Sequence, residues 1–232
     1  FCFGNKLTSL NIPDTLTKLK YIDCSYTELT SLNIPKTLTN LQKIFCFGNK
    51  LTSLNIPDTL TKLKYIDCSG NREITSLNIP PTLTNLQHID YSWNSLTSLN
   101  IHDTLNNLQH IDCCNNKLTS LNIPKTLTKL QKLYCYTNEL TSLNIPDTLT
   151  NLQYIICGEN KLTSLNIPDT LTKLKHIDCR YNHLRSLDIP KTLTKLQELI
   201  CYRNNPISFS LNVPNNTKVL QIHQSSRLVI IQ

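Results

Sequence analysis

A 22-residue unit recurs from one end of this 232-residue chain to the other. One copy, residues 29 to 50, reads L-T-S-L-N-I-P-K-T-L-T-N-L-Q-K-I-F-C-F-G-N-K. Its leading residue returns as Leu7, Leu29, Leu51, Leu96, Leu118, Leu140, Leu162 and Leu184, with Ile74 in the same slot. A fixed period of this length predicts a solenoid, in which each coil buries its apolar side only against its neighbours. Such a stack presents a long surface and no deep pocket, so the period bounds function as well as fold.

The core column next to the leucines is cysteine. Cys2, Cys24, Cys46, Cys68, Cys113, Cys135, Cys157, Cys179 and Cys201 share one slot, and Cys114 stands outside it. A free cysteine behaves as a small buried hydrophobe. Adjacent strands lie about 4.8 Å apart, a distance that by itself permits a disulfide. Side chains pointing inward in parallel have poor torsion for one, so the column predicts reduced thiols and a reducing compartment. The expected localisation is cytoplasmic. No run of apolar residues is long enough to span a membrane. The net charge of +7 is spread along the repeat, with lysines alternating with Asp14, Asp58 and Asp147. That spread speaks against nucleic acid as partner, because nucleic-acid binders gather their charge on one face.

Aligned, the copies follow L-x-x-L-x-C-x-x-N-x-L, as in Leu130, Leu133, Cys135, Asn138 and Leu140. The Asn slot holds Asn5, Asn49, Asn71, Asn94, Asn116, Asn138, Asn160, Asn182 and Asn204, with Thr27 as the exception. Over residues 1–205 this pattern resembles the characteristic segment of leucine-rich repeat proteins in every slot. The resemblance implies a right-handed solenoid, mainly β, with a parallel sheet on the concave face. It also implies that the Asn side chain pairs backbone groups at the turn out of each strand, a need that any buried turn has. Proline at 13, 35, 57, 80, 124, 146, 168 and 190 excludes a helix from the other side of the coil and favours extended or 3₁₀ segments there. In this the chain resembles the short repeats of bacterial-effector leucine-rich repeat proteins. The wording of 130–136 also resembles the leucine-rich repeat proteins of giant viruses.

Residues 1–25 are identical to 45–69, an offset of two repeats. A Lys18/Lys20 copy alternates there with an Asn40/Gln42 copy. Two departures break the period. One extra residue lies within Gly70–Ile74, and Tyr91 replaces cysteine in the following copy, where a wider coil would admit its ring. Beyond Asn205 the pattern shifts, and residues 206–232 read as an irregular repeat and cap, with closing strands at Val219–Ile222 and Arg227–Ile231. Because the chain opens in the middle of a repeat, it reads as part of a longer protein. Phe1 and Phe3 would form an open strand edge, and self-association through that edge is expected.

Strand alternation turns the residues between the core columns outward. The first outward column runs Tyr21, Lys43, Tyr65, His88, His110, Lys132, Tyr154, His176, Glu198, and the second from Asp23 and Phe45 to Asp178 and Ile200. A third runs from Ser25 and Phe47 to Arg180 and Tyr202, and a flanking one adds Tyr26, Trp93, Tyr181 and Arg203. These columns vary from copy to copy while the core columns barely change. They carry every Tyr except Tyr91, together with the sole Trp. Tyr, Trp and Arg carry binding energy at interfaces, although strands favour aromatics in any case. The richest stretch assigns partner binding to Tyr134, Tyr136, Tyr154, Ile156, Tyr181, Ile200 and Tyr202.

No catalytic, metal or cofactor residue is assigned. His88, Asp90, His110 and Asp112 form a two-by-two patch with metal-ligand chemistry, but a flat sheet provides poor tetrahedral geometry, and the plainer reading is a solvated ladder. His110, Asp112 and Cys114 share a face, yet residues four apart on a strand are about 13 Å apart, far beyond the reach of a nucleophile and its base. The sequon Asn215–Thr217 matters only in a secreted protein. The sequence therefore predicts a non-enzymatic scaffold that binds a protein, a host protein if the viral or effector resemblance extends to use. Two alternatives are the targeting module of a larger enzyme such as a ubiquitin ligase, and a carbohydrate- or pattern-binding repeat.

Overall fold

The computed structural model describes residues 2–205 and the backbone of the strands at 210–212 and 219–221. Each coil contributes one short strand. These are β1 (Tyr21–Asp23), β2 (Lys43–Phe45), β3 (Tyr65–Asp67), β4 (His88–Asp90), β5 (His110–Asp112) and β6 (Lys132–Tyr134). Then follow β7 (Tyr154–Ile156), β8 (His176–Asp178), β9 (Ser186–Asp188), β10 (Glu198–Ile200), β11 (Ser210–Asn212) and β12 (Val219–Gln221). Ten of them form one parallel sheet in the order β1-β2-β3-β4-β5-β6-β7-β8-β10-β12, and β9 pairs with β11 on another side of the coil. No helix occurs among the described residues.

The register is the one the period dictates. Tyr21 lies beside Lys43, Tyr65 beside His88, and His110 beside Lys132. The middle residue of each strand of the main sheet from β1 to β10 is buried, and so is the residue two positions later, a cysteine from Cys24 to Cys201 except for Tyr91 after β4. Burial of each such side chain stabilises by about 1.5–3 kcal/mol, and the columns make one continuous core. The cysteines are free. Burial, the largest influence, pushes the thiols of the column from Cys24 to Cys201 upward, that of Cys24 to about 12, and Cys113 Sγ donates to the carbonyl of Tyr134 at 3.3 Å.

The asparagine column does what the repeat pattern implies. Asn138 Nδ2 donates to the carbonyls of Cys113 (2.9 Å), Cys135 (3.1 Å) and Tyr136 (3.4 Å), while its Oδ1 accepts from the Leu118 N–H (3.0 Å). One side chain thus pairs backbone groups of two coils. Thr27 substitutes in part, donating to the Cys24 carbonyl at 3.0 Å and to Asn49 Oδ1.

Opposite the sheet, the backbone is extended apart from two successive turns, each closed by the i→i+3 bond of a single 3₁₀ turn, as expected. The Leu38 N–H donates to Pro35 O and the Leu41 N–H to Leu38 O. A threonine ladder ties these turns together: Thr148 Oγ1 donates to Lys125 O and Thr170 Oγ1 to Asp147 O, both at 2.6 Å. The alternation of Asn and Lys copies has a structural counterpart. Asn40 Nδ2 donates to Thr17 O (2.9 Å), and Lys62 Nζ of the next coil donates to Asn40 Oδ1 (2.7 Å).

The extra residue near Gly70 is absorbed as a turn in which the Ile74 N–H donates to Asn71 O at 2.9 Å. Tyr91 fills the cysteine slot with its ring fully buried, and its hydroxyl has no hydrogen-bond partner among the described residues. At the amino end Phe3 lies in a turn and not in a strand. The N–H groups of Cys2 and Gly4 donate to Asp23 O and Ser25 O. Val219–Gln221 pairs with β10 as the closing strand expected there, whereas Arg227–Ile231 and the sequon lie outside the described residues.

Candidate interaction face

The flanking column is the least regular in sequence and the most regular in backbone. Gly4, Tyr26, Gly48, Gly70, Trp93, Asn115, Thr137, Glu159, Tyr181 and Arg203 all have φ between 51° and 71°. An L residue pays roughly 1–2 kcal/mol in this left-handed region. The turn out of each strand imposes it on whatever residue occurs there. The column's three aromatic members are all exposed: Tyr26 at 58 %, Trp93 at 55 % and Tyr181 at 40 %. Trp93, absent from the predicted binding set, thus offers an open indole at a strained position. The glycines and Asn115 in its column were the available signal.

The second outward column is acidic for a local reason. Oδ1 of Asp67, Asp90 and Asp112 accepts the N–H two residues on, from Ser69 (3.0 Å), Ser92 (2.9 Å) and Cys114 (2.9 Å). Each aspartate pairs the backbone of its own turn. Burial raises the pKa of Asp112 to about 6, offset in part by the Cys114 N–H and reinforced by Asp90.

Rings of the first column lie on one another. Tyr65 stacks on His88 with centroids 4.2 Å apart and planes 12° apart. His88 meets His110 at 4.1 Å, Phe45 closes one end at 5.0 Å from Tyr65, and Tyr134 closes the other in a T-shaped contact 4.9 Å from His110. Burial, then the charges of His88 and Lys132, lowers the His110 pKa to about 3. A base that weak does not serve general base catalysis at neutral pH. Its neighbour Cys114 is half-buried, and burial with Asp112 pushes its thiol up, away from the nucleophilic thiolate. No group of three or more His, Cys, Asp or Glu among the described residues is arranged to hold a metal ion.

The seven predicted contact residues divide. Tyr136, Tyr181 and Tyr202 come together through two arginines. The Arg180 guanidinium lies 5.1 Å from the Tyr136 ring centroid and 5.8 Å from that of Tyr202, and its Nη1 donates to Tyr202 Oη at 3.2 Å. Arg203 lies 5.5 Å over Tyr181, whose ring meets Tyr202 edge-on at 5.4 Å. Tyr136 Oη donates to Glu159. Gly158 makes the room, since a Cβ there would lie 2.9 Å from Tyr136 Cε2 and 3.1 Å from Arg180 Cγ. Tyr134 belongs to the ring ladder, and Tyr154 holds Lys132 Nζ at 5.7 Å from its ring. Ile156 is half-buried between Tyr134 and Asp178. Ile200 is a correction: at 7 % exposure, flanked in register by Asp178 and Gln221 within the sheet, it has almost no surface to offer.

The 22-residue coil, the one-strand-per-coil parallel sheet and the asparagine column define a leucine-rich repeat solenoid. Residues 112–225 match the profile of the BspA type leucine-rich repeat region and residues 39–82 match a second leucine-rich repeat profile, so the chain belongs to the leucine-rich repeat proteins. No curated protein sequence matches the chain. Among solved structures it is similar to the functional domain of InlJ from Listeria monocytogenes, which includes a cysteine ladder. There the identity is 26 %, the TM-score 0.64, and the match covers 94 % of this chain and 54 % of that one. It is also similar to a leucine-rich repeat protein of Leptospira interrogans, at 25 % identity and TM-score 0.56 over 83 % of this chain and 57 % of that one. The chain thus spans little more than half the length of either. The leucine-rich repeat domain of FLRT2, seen in an octameric complex with Latrophilin 3 and Unc5D, shares the fold at 21 % identity and TM-score 0.65 over 89 % of this chain and 70 % of that one. No described helix is long and apolar enough to cross a membrane.

Proposed function

We propose that the chain is a non-enzymatic scaffold that binds a protein partner on the sheet face, centred on Tyr136, Tyr181 and Tyr202. The carrying observation is the Tyr136–Arg180–Tyr202 sandwich. Aromatic and arginine side chains are already held in place there, so a partner meets them with little further loss of side-chain freedom. Tyr154 and Ile156 border this cluster, and Trp93 adds an exposed ring toward the amino end. Ile200 is not part of it.

The test is affinity capture from a host lysate followed by titration of the captured protein. Tyr136→Ala and Tyr202→Ala should each weaken binding by roughly 1–3 kcal/mol, the range of interface anchors. Thr148→Ala on the opposite side should leave affinity unchanged while lowering stability by about 1 kcal/mol, since it removes the bond to Lys125 O. Binding sensitive to Thr148 and indifferent to both tyrosines would refute the reading.

A further inference from the structure

Nearer the starts of the strands, the same face carries a second patch that the tyrosine cluster does not use. Lys43, Lys64 and Lys132 rim a shallow groove whose floor is the Tyr65–His88–His110 stack. Gln87, Gln109 and Gln131 line it further, and their side-chain amides make no hydrogen bond among the described residues. No carboxylate lines the groove. The aspartates of the same strands sit two positions on and are turned to their own i+2 amides.

Ring orientation decides what the floor can receive. The faces of Tyr65 and His88 are covered by neighbouring rings on both sides. A sugar ring or a nucleobase binds by covering an aromatic face, and none is free on Tyr65 or His88 at the centre of the floor. What points outward is ring edge, the electropositive part of an aromatic system. Edges, amide N–H groups and ammonium groups all favour acceptors and negative charge. From the Lys43 strand to the Lys132 strand there are four steps of about 4.8 Å, or about 19 Å, which an extended peptide of about six residues covers.

We propose that this groove is a docking track for an extended acidic segment of a partner protein, with carboxylates at the lysines and backbone carbonyls on the glutamine amides. The proposal rests on the sheet face being a partner surface, but it concerns a patch separate from Tyr136 and Tyr202. The two therefore fail independently.

The probe is a fluorescently labelled hexaglutamate peptide, titrated at low salt by anisotropy. The triple variant Lys43→Ala/Lys64→Ala/Lys132→Ala should bind it about tenfold more weakly, as loss of three exposed ion pairs allows. The control Lys36→Ala/Lys125→Ala/Lys191→Ala loses the same charge from the opposite side and should stay within about twofold of the parent. Should the groove triple fail to fold, Lys64→Glu alone, at an exposed side chain, should give a smaller loss in the same direction, with circular dichroism confirming the fold. Tyr136→Ala should bind the probe normally even where it loses the captured partner. Equal losses in both triples would mean general attraction to a basic protein and would overturn the proposal. So would no binding by the parent chain, or tighter binding of a hexauridylate or a sulfated disaccharide.

Discussion

Gly48 lies directly under the ring of Tyr26: a Cβ on Gly48 would stand 2.8 Å from Tyr26 Cδ1. Gly48 also has φ +65°. Gly48→Ala is therefore expected to lower stability by about 1–2 kcal/mol through the backbone and somewhat more through the displaced ring. In the Tyr26→Ala background only the backbone part should remain. A denaturant double-mutant cycle measures the coupling, and strict additivity would refute the contact.

Asn138 pairs backbone groups of two coils. Asn138→Ala leaves the Leu118 N–H without its partner and takes one of two donors from the Cys113 and Cys135 carbonyls, which keep Asn116 and Asn160, and is expected to cost about 1–3 kcal/mol. Asn138→Thr should cost less, because Thr27 already serves in that slot. Equal losses for Ala and Thr in urea melts would show that the hydroxyl does not substitute.

Tyr91 separates ring burial from hydroxyl burial. Its hydroxyl is buried without a partner, so Tyr91→Phe is expected to stabilise by about 1–2 kcal/mol. Tyr91→Cys restores the column but empties the ring volume, and should destabilise by about 2–4 kcal/mol. Thermal melts with Tyr91→Phe below the parent would point to an unseen partner for the hydroxyl.

His110 sets a pH dependence. Its folded pKa of about 3 lies below the ordinary 6.5, so the stability tied to its neutral form is present above 6.5 and lost as pH falls toward 3. His88, also lowered, acts in the same direction. Asp112 opposes them. With its pKa raised to about 6 from 3.8, its contribution is present below 3.8 and lost as pH rises through 6. Between about pH 7 and pH 4, His110→Phe should lose less melting temperature than the parent and Asp112→Asn should lose more. Parallel curves for all three would refute this account.

The thiols give a labelling test. Cys2 and Cys114 are half-buried and the other eight cysteines are buried. Native labelling should reach Cys2, and Cys114 only slowly because its thiol resists ionisation. Peptide mapping that finds Cys135 or Cys157 modified in the native state would contradict the burial.

The period made the fold legible. The inward leucines, the cysteine column, the asparagine slot and the burial of Tyr91 all follow from counting, because a parallel stack forces equivalent residues into register. What escaped depends on contacts within the outward rows. Sequence alone does not show that Tyr65 and His88 lie on each other, that Gly158 admits the Arg180 stack, or that Asp178 and Gln221 enclose Ile200 within the sheet. The left-handed column escaped because Trp93, Tyr181 and Arg203 conceal a conformation that only its glycines and Asn115 suggested.

The identity of residues 1–25 with 45–69 gives the repeat number a metric meaning. Trp93 lies on the coil of β4 and the Tyr136–Arg180–Tyr202 cluster on those of β6, β8 and β10, so the gap between them is a whole number of strand spacings. Gain of one 44-residue pair between them would move them apart by about 10 Å without altering either, since each strand step is about 4.8 Å. On the proposed function, coil count would act as a ruler: slippage in copy number would select among partners by the distance between two fixed grips while every contact stays the same.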